Sequence, residues 1–87
     1  MRTVRLYSRP GCHLCEESKE ILDRLAASYN FTVEEISIHS DRDLYLRYWS
    51  LIPVVEIGES VVPAALDEDR LKSVLDWEFR NAPTPDA

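Results

Sequence analysis

The sequence predicts an α/β domain: a four-stranded mixed sheet flanked by three helices, in the order β-α-β-α-β-β-α. Three observations lead there. Short β-branched runs alternate with longer stretches of helical period, which is the pattern of helices layered on a sheet. The opening strand–helix–strand requires a crossover, so its two strands run parallel. The last two strands are separated only by Gly58-Glu59, a Gly-first pair suited to a type II′ hairpin, so they run antiparallel. Helices this frequent must cover both faces of the sheet.

Each element has its own local reason. Thr3 to Ser8 reads as the first strand, with Val4 and Leu6 alternating against Thr3, Arg5 and Tyr7. Pro10-Gly11 breaks it. From about His13 to Ser28 the period turns helical. Leu14, Ser18, Ile21, Leu22, Leu25 and Tyr29 recur on one face, and Glu20 and Arg24 are spaced for an i, i+4 ion pair on another. Asn30 is a helix stop. Phe31 to Ile38 reads as the second strand. Phe31 and Val33 share one phase and Ile36 and Ile38 the other, so Glu34-Glu35 is read as a late strand start or a bulge.

Ser40 serves as N-cap of a short helix running to about Tyr48, with Asp41 and Asp43 in its first turn. Pro53 to Ile57 and Ser60 to Val62 make the third and fourth strands, and Pro63 closes the latter at a sheet edge. Asp67 caps the last helix, whose buried stripe is Leu71, Val74, Leu75 and Phe79, with Trp77 off it. Residues 1–81 form one domain, and 82–87, rich in proline, are expected to be a disordered tail.

Composition narrows the function. The chain has 87 residues, 45% hydrophobic and 30% charged, which suits one small globular domain. Its net charge of −6 argues against nucleic acid and against anionic membrane surfaces, because no excess of Lys and Arg is available to neutralise phosphates. No apolar run is long enough to span a bilayer. Met1-Arg2-Thr3-Val4-Arg5-Leu6 lacks the apolar centre of a signal peptide, so the expected location is cytoplasmic.

Both cysteines lie in Arg9-Pro10-Gly11-Cys12-His13-Leu14-Cys15, where the first strand gives way to the first helix. A Cys-x-x-Cys so placed reads as a dithiol redox site. A structural disulfide is the weaker reading, since it would close a very short loop in a compartment that keeps thiols reduced. A metal site would want four ligands, and His13 and His39 are the only histidines to add.

This order, together with Leu6-Tyr7-Ser8-Arg9-Pro10-Gly11-Cys12-His13-Leu14-Cys15 and Leu51-Ile52-Pro53-Val54-Val55-Glu56-Ile57-Gly58, resembles the thioredoxin fold. The match is closest to glutaredoxin-like proteins and runs to about Arg80. Glutathione-using glutaredoxins usually carry Cys-Pro-Tyr-Cys, Thr-Val-Pro, and a Gly-Gly followed by Asp. Here these stretches read Cys12-His13-Leu14-Cys15, Leu51-Ile52-Pro53, and Val62-Pro63-Ala64-Ala65-Leu66-Asp67. Glycine lets main chain and ligand approach closely, so the loss of the Gly-Gly pair counts against glutathione binding.

The resemblance implies a thiol–disulfide oxidoreductase. Cys12, at the start of the first helix, would be the nucleophile, because free N–H groups and the helix dipole favour a thiolate there. Arg9 stands where glutaredoxins often have a lysine and would tune that thiolate, with His13 adding charge when protonated and Glu16 and Glu17 opposing it. Cys15, one turn on, would resolve the mixed disulfide. Pro53 would be cis, leaving the Ile52 backbone to pair with an extended substrate. Among Tyr45, Tyr48 and Trp49, core packing is the simpler role, and Trp49 is the candidate for a substrate-facing rim.

The expected partners are a disulfide-bearing protein or small molecule as substrate, and a reductase or glutathione as electron donor. No cofactor or metal is expected, glutathione entering only as reductant. An iron–sulfur cluster shared between subunits with glutathione, known among glutaredoxins, would draw on that same glutathione site and is the minor option. The rival class is non-enzymatic: a thioredoxin-fold binding module, or a metal carrier using Cys12 and Cys15.

Overall fold

The computed structural model describes residues 2–81. The predicted tail, 82–87, lies outside the described residues. The elements are β1 (Arg2–Ser8), α1 (His13–Tyr29), β2 (Phe31–Ser37), a single 3-10 turn (Ile38–Ser40), α2 (Arg42–Tyr48), β3 (Val54–Ile57), β4 (Ser60–Val62) and α3 (Glu68–Asn81). The sheet order is β2-β1-β3-β4. β1 pairs with β2 in parallel, and with β3, as β3 does with β4, antiparallel. This is the predicted α/β architecture.

Alternate residues of the strands feed two separate cores. Val4, Leu6, Val55 and Ile57 face α1 and α3 and pack with Leu22, Leu25, Leu71 and Leu75. Tyr7 and Val54, one residue out of phase, face α2 and pack with Ile38 and Tyr48. The Tyr7 and Tyr48 rings lie 4.9 Å apart, and burial pushes the Tyr7 phenol above its ordinary value. Each fully buried leucine contributes roughly 1.5–3 kcal/mol relative to exposure, so the larger core carries most of the stability.

The double-sided burial explains the mixed phase of β2. Its register with β1 is unbroken from Arg2↔Phe31 to Ser8↔Ser37, so Glu34-Glu35 forms neither a bulge nor a late start. Phe31 and Val33 pack toward α1, while Ile36 packs toward α2. Ile38 is buried in the 3-10 turn rather than in the strand. That turn also takes Ser40, whose hydroxyl donates to the Ser37 carbonyl (2.6 Å). The N-cap of α2 is therefore Asp41, which accepts the Asp43 N–H at 2.8 Å.

Helix ends follow local chemistry. α1 stops at Asn30, which adopts the left-handed region (φ 56) while its N–H donates to the Ala26 carbonyl at 3.0 Å. α3 starts at Asp67, whose carboxylate accepts the Arg70 N–H at 3.2 Å. Gly58 (φ 59) opens the hairpin, and a side chain there would run into the Glu78 carboxylate, which also accepts the Ser60 hydroxyl.

Two surface expectations are corrected. Leu14 is 50% exposed; the inward stripe of α1 starts instead at Cys15 and continues through Ser18, Leu22 and Leu25. Arg24 pairs with Glu68 of α3 (2.9 Å), not with Glu20, while Lys19 and Asp23 make the i, i+4 pair (3.1 Å). The tertiary partner displaces the local one because α1 and α3 lie side by side on the same face. Among the described residues, no helix is long and apolar enough to cross a membrane.

Candidate active site

The sheet register brings three strand ends to one edge. Ser8, the last residue of β1, pairs with Ser37 at the end of β2, and Tyr7 pairs with Val54 at the start of β3. The loop carrying Cys12 therefore leaves the sheet beside Pro53. Gly11, with φ 76, supplies the left-handed residue that turns the chain from β1 into α1.

Cys12 is the N-cap of α1, with extended backbone (φ −95, ψ 104). Its Sγ accepts the Cys15 N–H at 3.1 Å, and its carbonyl accepts the Glu16 N–H at 3.2 Å. Cys12 and Cys15 are joined as a disulfide, with Cα atoms 5.2 Å apart, within the usual span of such a bridge. Cys12 is partly exposed and Cys15 is 2% exposed. The pair thus has an outer and an inner sulfur. The outer one sits where unpaired helical N–H groups favour negative charge.

A cavity of about 400 Å³ opens beside the disulfide, on the side toward β2. Both cysteines line it, with Arg9 and Lys19 as cations and Glu16, Glu20, Asp23 and Glu35 as carboxylates. Arg9 is thus placed with the cysteines. His13 points away: its ring is 95% exposed and its Nδ1 lies 3.5 Å from Glu16 Oε2. Trp49, Ile52 and Pro53 do not line the cavity.

Ile52 and Pro53 lead into β3, whose first residue, Val54, pairs with Tyr7 at the same end of the sheet, and Trp49 follows α2. The Ile52–Pro53 bond is cis, and Pro53 is fully buried. The Ile52 N–H already donates to the Tyr48 carbonyl at 3.1 Å, so half of the backbone face expected to meet substrate is engaged within the chain. Trp49 is 59% exposed. Ala64 adopts φ 48, a conformation usually left to glycine. Its N–H donates to the Leu51 carbonyl (3.0 Å), and that of Ala65 to the Pro53 carbonyl (2.9 Å).

Sequence reasoning missed Glu35. A signal for it existed: Phe31, Val33 and Glu35 are successive positions on one strand face, and the third breaks the apolar stripe. Among the described residues, no three His, Cys, Asp or Glu side chains converge to hold a metal ion.

A family model described as Glutaredoxin-like domain (DUF836) matches residues 3–76. The Glutaredoxin-like protein YDR286C homolog of Dictyostelium discoideum is 31% identical over 84 residues, covering 88% of this chain and 78% of that protein. Among solved structures, the target protein XcR50 from X. campestris is similar with a TM-score of 0.73 at 28% identity, over 85% of this chain and 96% of that one. A mutant thioredoxin from Halobacterium salinarum NRC-1 is similar in fold, with a TM-score of 0.71 at 20% identity, over 93% and 77% of the two chains.

Proposed function

Because the chain belongs to the glutaredoxin-like domain family and has the thioredoxin fold, we propose that it is a thiol–disulfide oxidoreductase working through Cys12 and Cys15. The observation that carries this reading is the asymmetry of the pair: an outer sulfur at a helix N-terminus, facing a cavity, with an inner sulfur bonded to it.

The chemistry follows from that placement. In the reduced protein the Cys12 thiolate is stabilised by the Cys15 N–H and the helix dipole, with Arg9 as the nearby cation of the cavity. It attacks a substrate disulfide, forms a mixed disulfide and releases one thiolate. Cys15 then attacks Cys12 Sγ, the second substrate thiolate leaves, and the bridge of this structure results. The substrate approaches along the partly exposed Cys12, with Trp49 as an apolar rim and the Ile52 carbonyl, beside Pro53, as acceptor for an extended segment. In a reducing cytoplasmic compartment the working direction is substrate reduction.

The donor favoured by this reading is a dithiol reductase rather than glutathione. The Ala64 and Ala65 amides, beside the cis-proline loop, are already engaged by the Leu51 and Pro53 carbonyls. They are not free to hold a tripeptide carboxylate. The test is coupled turnover of a disulfide substrate, once with glutathione and its reductase and once with NADPH and thioredoxin reductase. Turnover is expected in the second arm and lost in Cys12→Ser. A binding module that keeps its partner after both cysteines become serine, with no turnover in either arm, would replace the enzyme reading.

A further inference from the structure

Building on that dithiol reading, we propose that the Ser18 hydroxyl is a hydrogen-bond partner reserved for the reduced state: it bonds the Cys15 sulfur once the bridge opens, and so holds the redox equilibrium toward the dithiol. Two serines are buried among the described residues, Ser8 and Ser18, at 4% and 0% exposure. They differ in what they bond. Ser8 donates to Glu35. Ser18 Oγ has no hydrogen-bond partner among the described residues. A serine inside a helix normally turns its hydroxyl to solvent or to the carbonyl four residues back. The Ser18 hydroxyl does neither, since it is fully buried and the Leu14 carbonyl does not accept it. A buried hydroxyl without a partner is costly, and an alanine of nearly the same size would avoid that cost.

Its position names the partner. The inward stripe of α1 is Cys15, Ser18, Leu22 and Leu25. Residues three apart on a helix are neighbours, with Cβ atoms roughly 5–6 Å apart. Side chains on a helix lean toward its N-terminus, so Ser18 leans toward the turn that carries Cys15 and away from the two leucines. Cys15, at 2% exposure, belongs to the same interior. In the bridge, Cys15 Sγ is bonded to Cys12 and has no proton to give. The open form differs in two ways. Cys15 then carries an S–H or, as thiolate, is a full acceptor, and its χ1 is free to move between staggered positions. A bond made in the dithiol and missing in the disulfide favours the dithiol by its own strength.

Opening the bridge is a two-electron exchange. An external dithiol attacks, the Cys12–Cys15 bond breaks, and the donor's two sulfurs join to each other. The donor's two protons pass to the cysteine sulfurs or to solvent. Ser18 exchanges no electron in this step. It is a positioning residue that acts through Cys15, and its mark is a potential.

The test is equilibration of the whole chain with dithiothreitol buffers of graded oxidised-to-reduced ratio, the two protein forms being counted by mass spectrometry after thiol alkylation. In Ser18→Ala the disulfide-to-dithiol ratio at a given buffer should rise about tenfold, a potential about 30 mV more negative. Urea unfolding of each form gives a second reading. The substitution should leave the oxidised protein as stable as wild type or more so, and make the reduced protein less stable, the two changes differing by the same factor. A ratio that moves by less than about twofold, the smallest effect of one hydrogen bond, overturns the assignment. So does an equal change of stability in both forms, as a hydroxyl bonded to the same neighbour in each would give. A wild-type protein whose sulfurs never equilibrate with the buffer sinks the dithiol reading itself and the assignment with it, so the two failures are told apart.

Discussion

Cys12 depends on three neighbours of unequal weight. The Cys15 N–H at 3.1 Å and the start of a seventeen-residue helix favour its anion, and Arg9 adds a charge across the cavity. His13, next in sequence, turns its ring to Glu16 instead. Arg9→Ala should therefore raise the Cys12 pKa of the reduced protein by up to about one unit, whereas His13→Ala should move it less. The pH dependence of Cys12 alkylation reads both; a larger effect from His13 would contradict this ranking. The pairing of the two cysteines was legible in the sequence because a Cys-x-x-Cys placed after a strand brings both sulfurs to one helix turn. The separation of Arg9 from His13 was not, since it depends on which way each side chain leaves the first turn. Glu35 was hidden by its neighbour: Glu34-Glu35 looks like a polar interruption until the register sends one to each face.

At the scale of elements, boundaries followed local signals and contacts did not. Asn30 ends α1 because only a few residue types tolerate φ 56, and the sequence carried that signal. Asn30→Gly should leave stability unchanged or slightly higher, while Asn30→Val should lower it by roughly 1–2 kcal/mol in chemical denaturation. Equal effects of the two would show that the cap conformation does not matter. The N-cap of α2 was misplaced by one residue because Ser40 and Asp41 are both good caps, and the 3-10 turn decides between them. Arg24 was assigned to Glu20, four residues away. Its true partner, Glu68, lies 44 residues off, a separation that helical spacing cannot detect.

For the whole molecule, the sheet order positions the chemistry. Placing β1 between β2 and β3 puts the ends of three strands around one loop. The disulfide then shares a cavity with Glu35, while Ile52–Pro53 leads into β3 at the same end of the sheet. The order of elements and the Ile-Pro signal made this fold readable, because crossover and hairpin lengths leave few topologies open. The cavity was not readable, since it forms between α1 and β2 from residues 9 to 35 that share no local pattern. The account therefore rests on a division of labour between an outer and an inner sulfur. The most direct measurement is mass spectrometry of single-cysteine variants after exposure to a disulfide substrate. Cys15→Ser should accumulate one stable mixed disulfide on Cys12, and Cys12→Ser should accumulate none at a comparable rate. Equal adduct formation on the two variants, or none on Cys15→Ser, would contradict it.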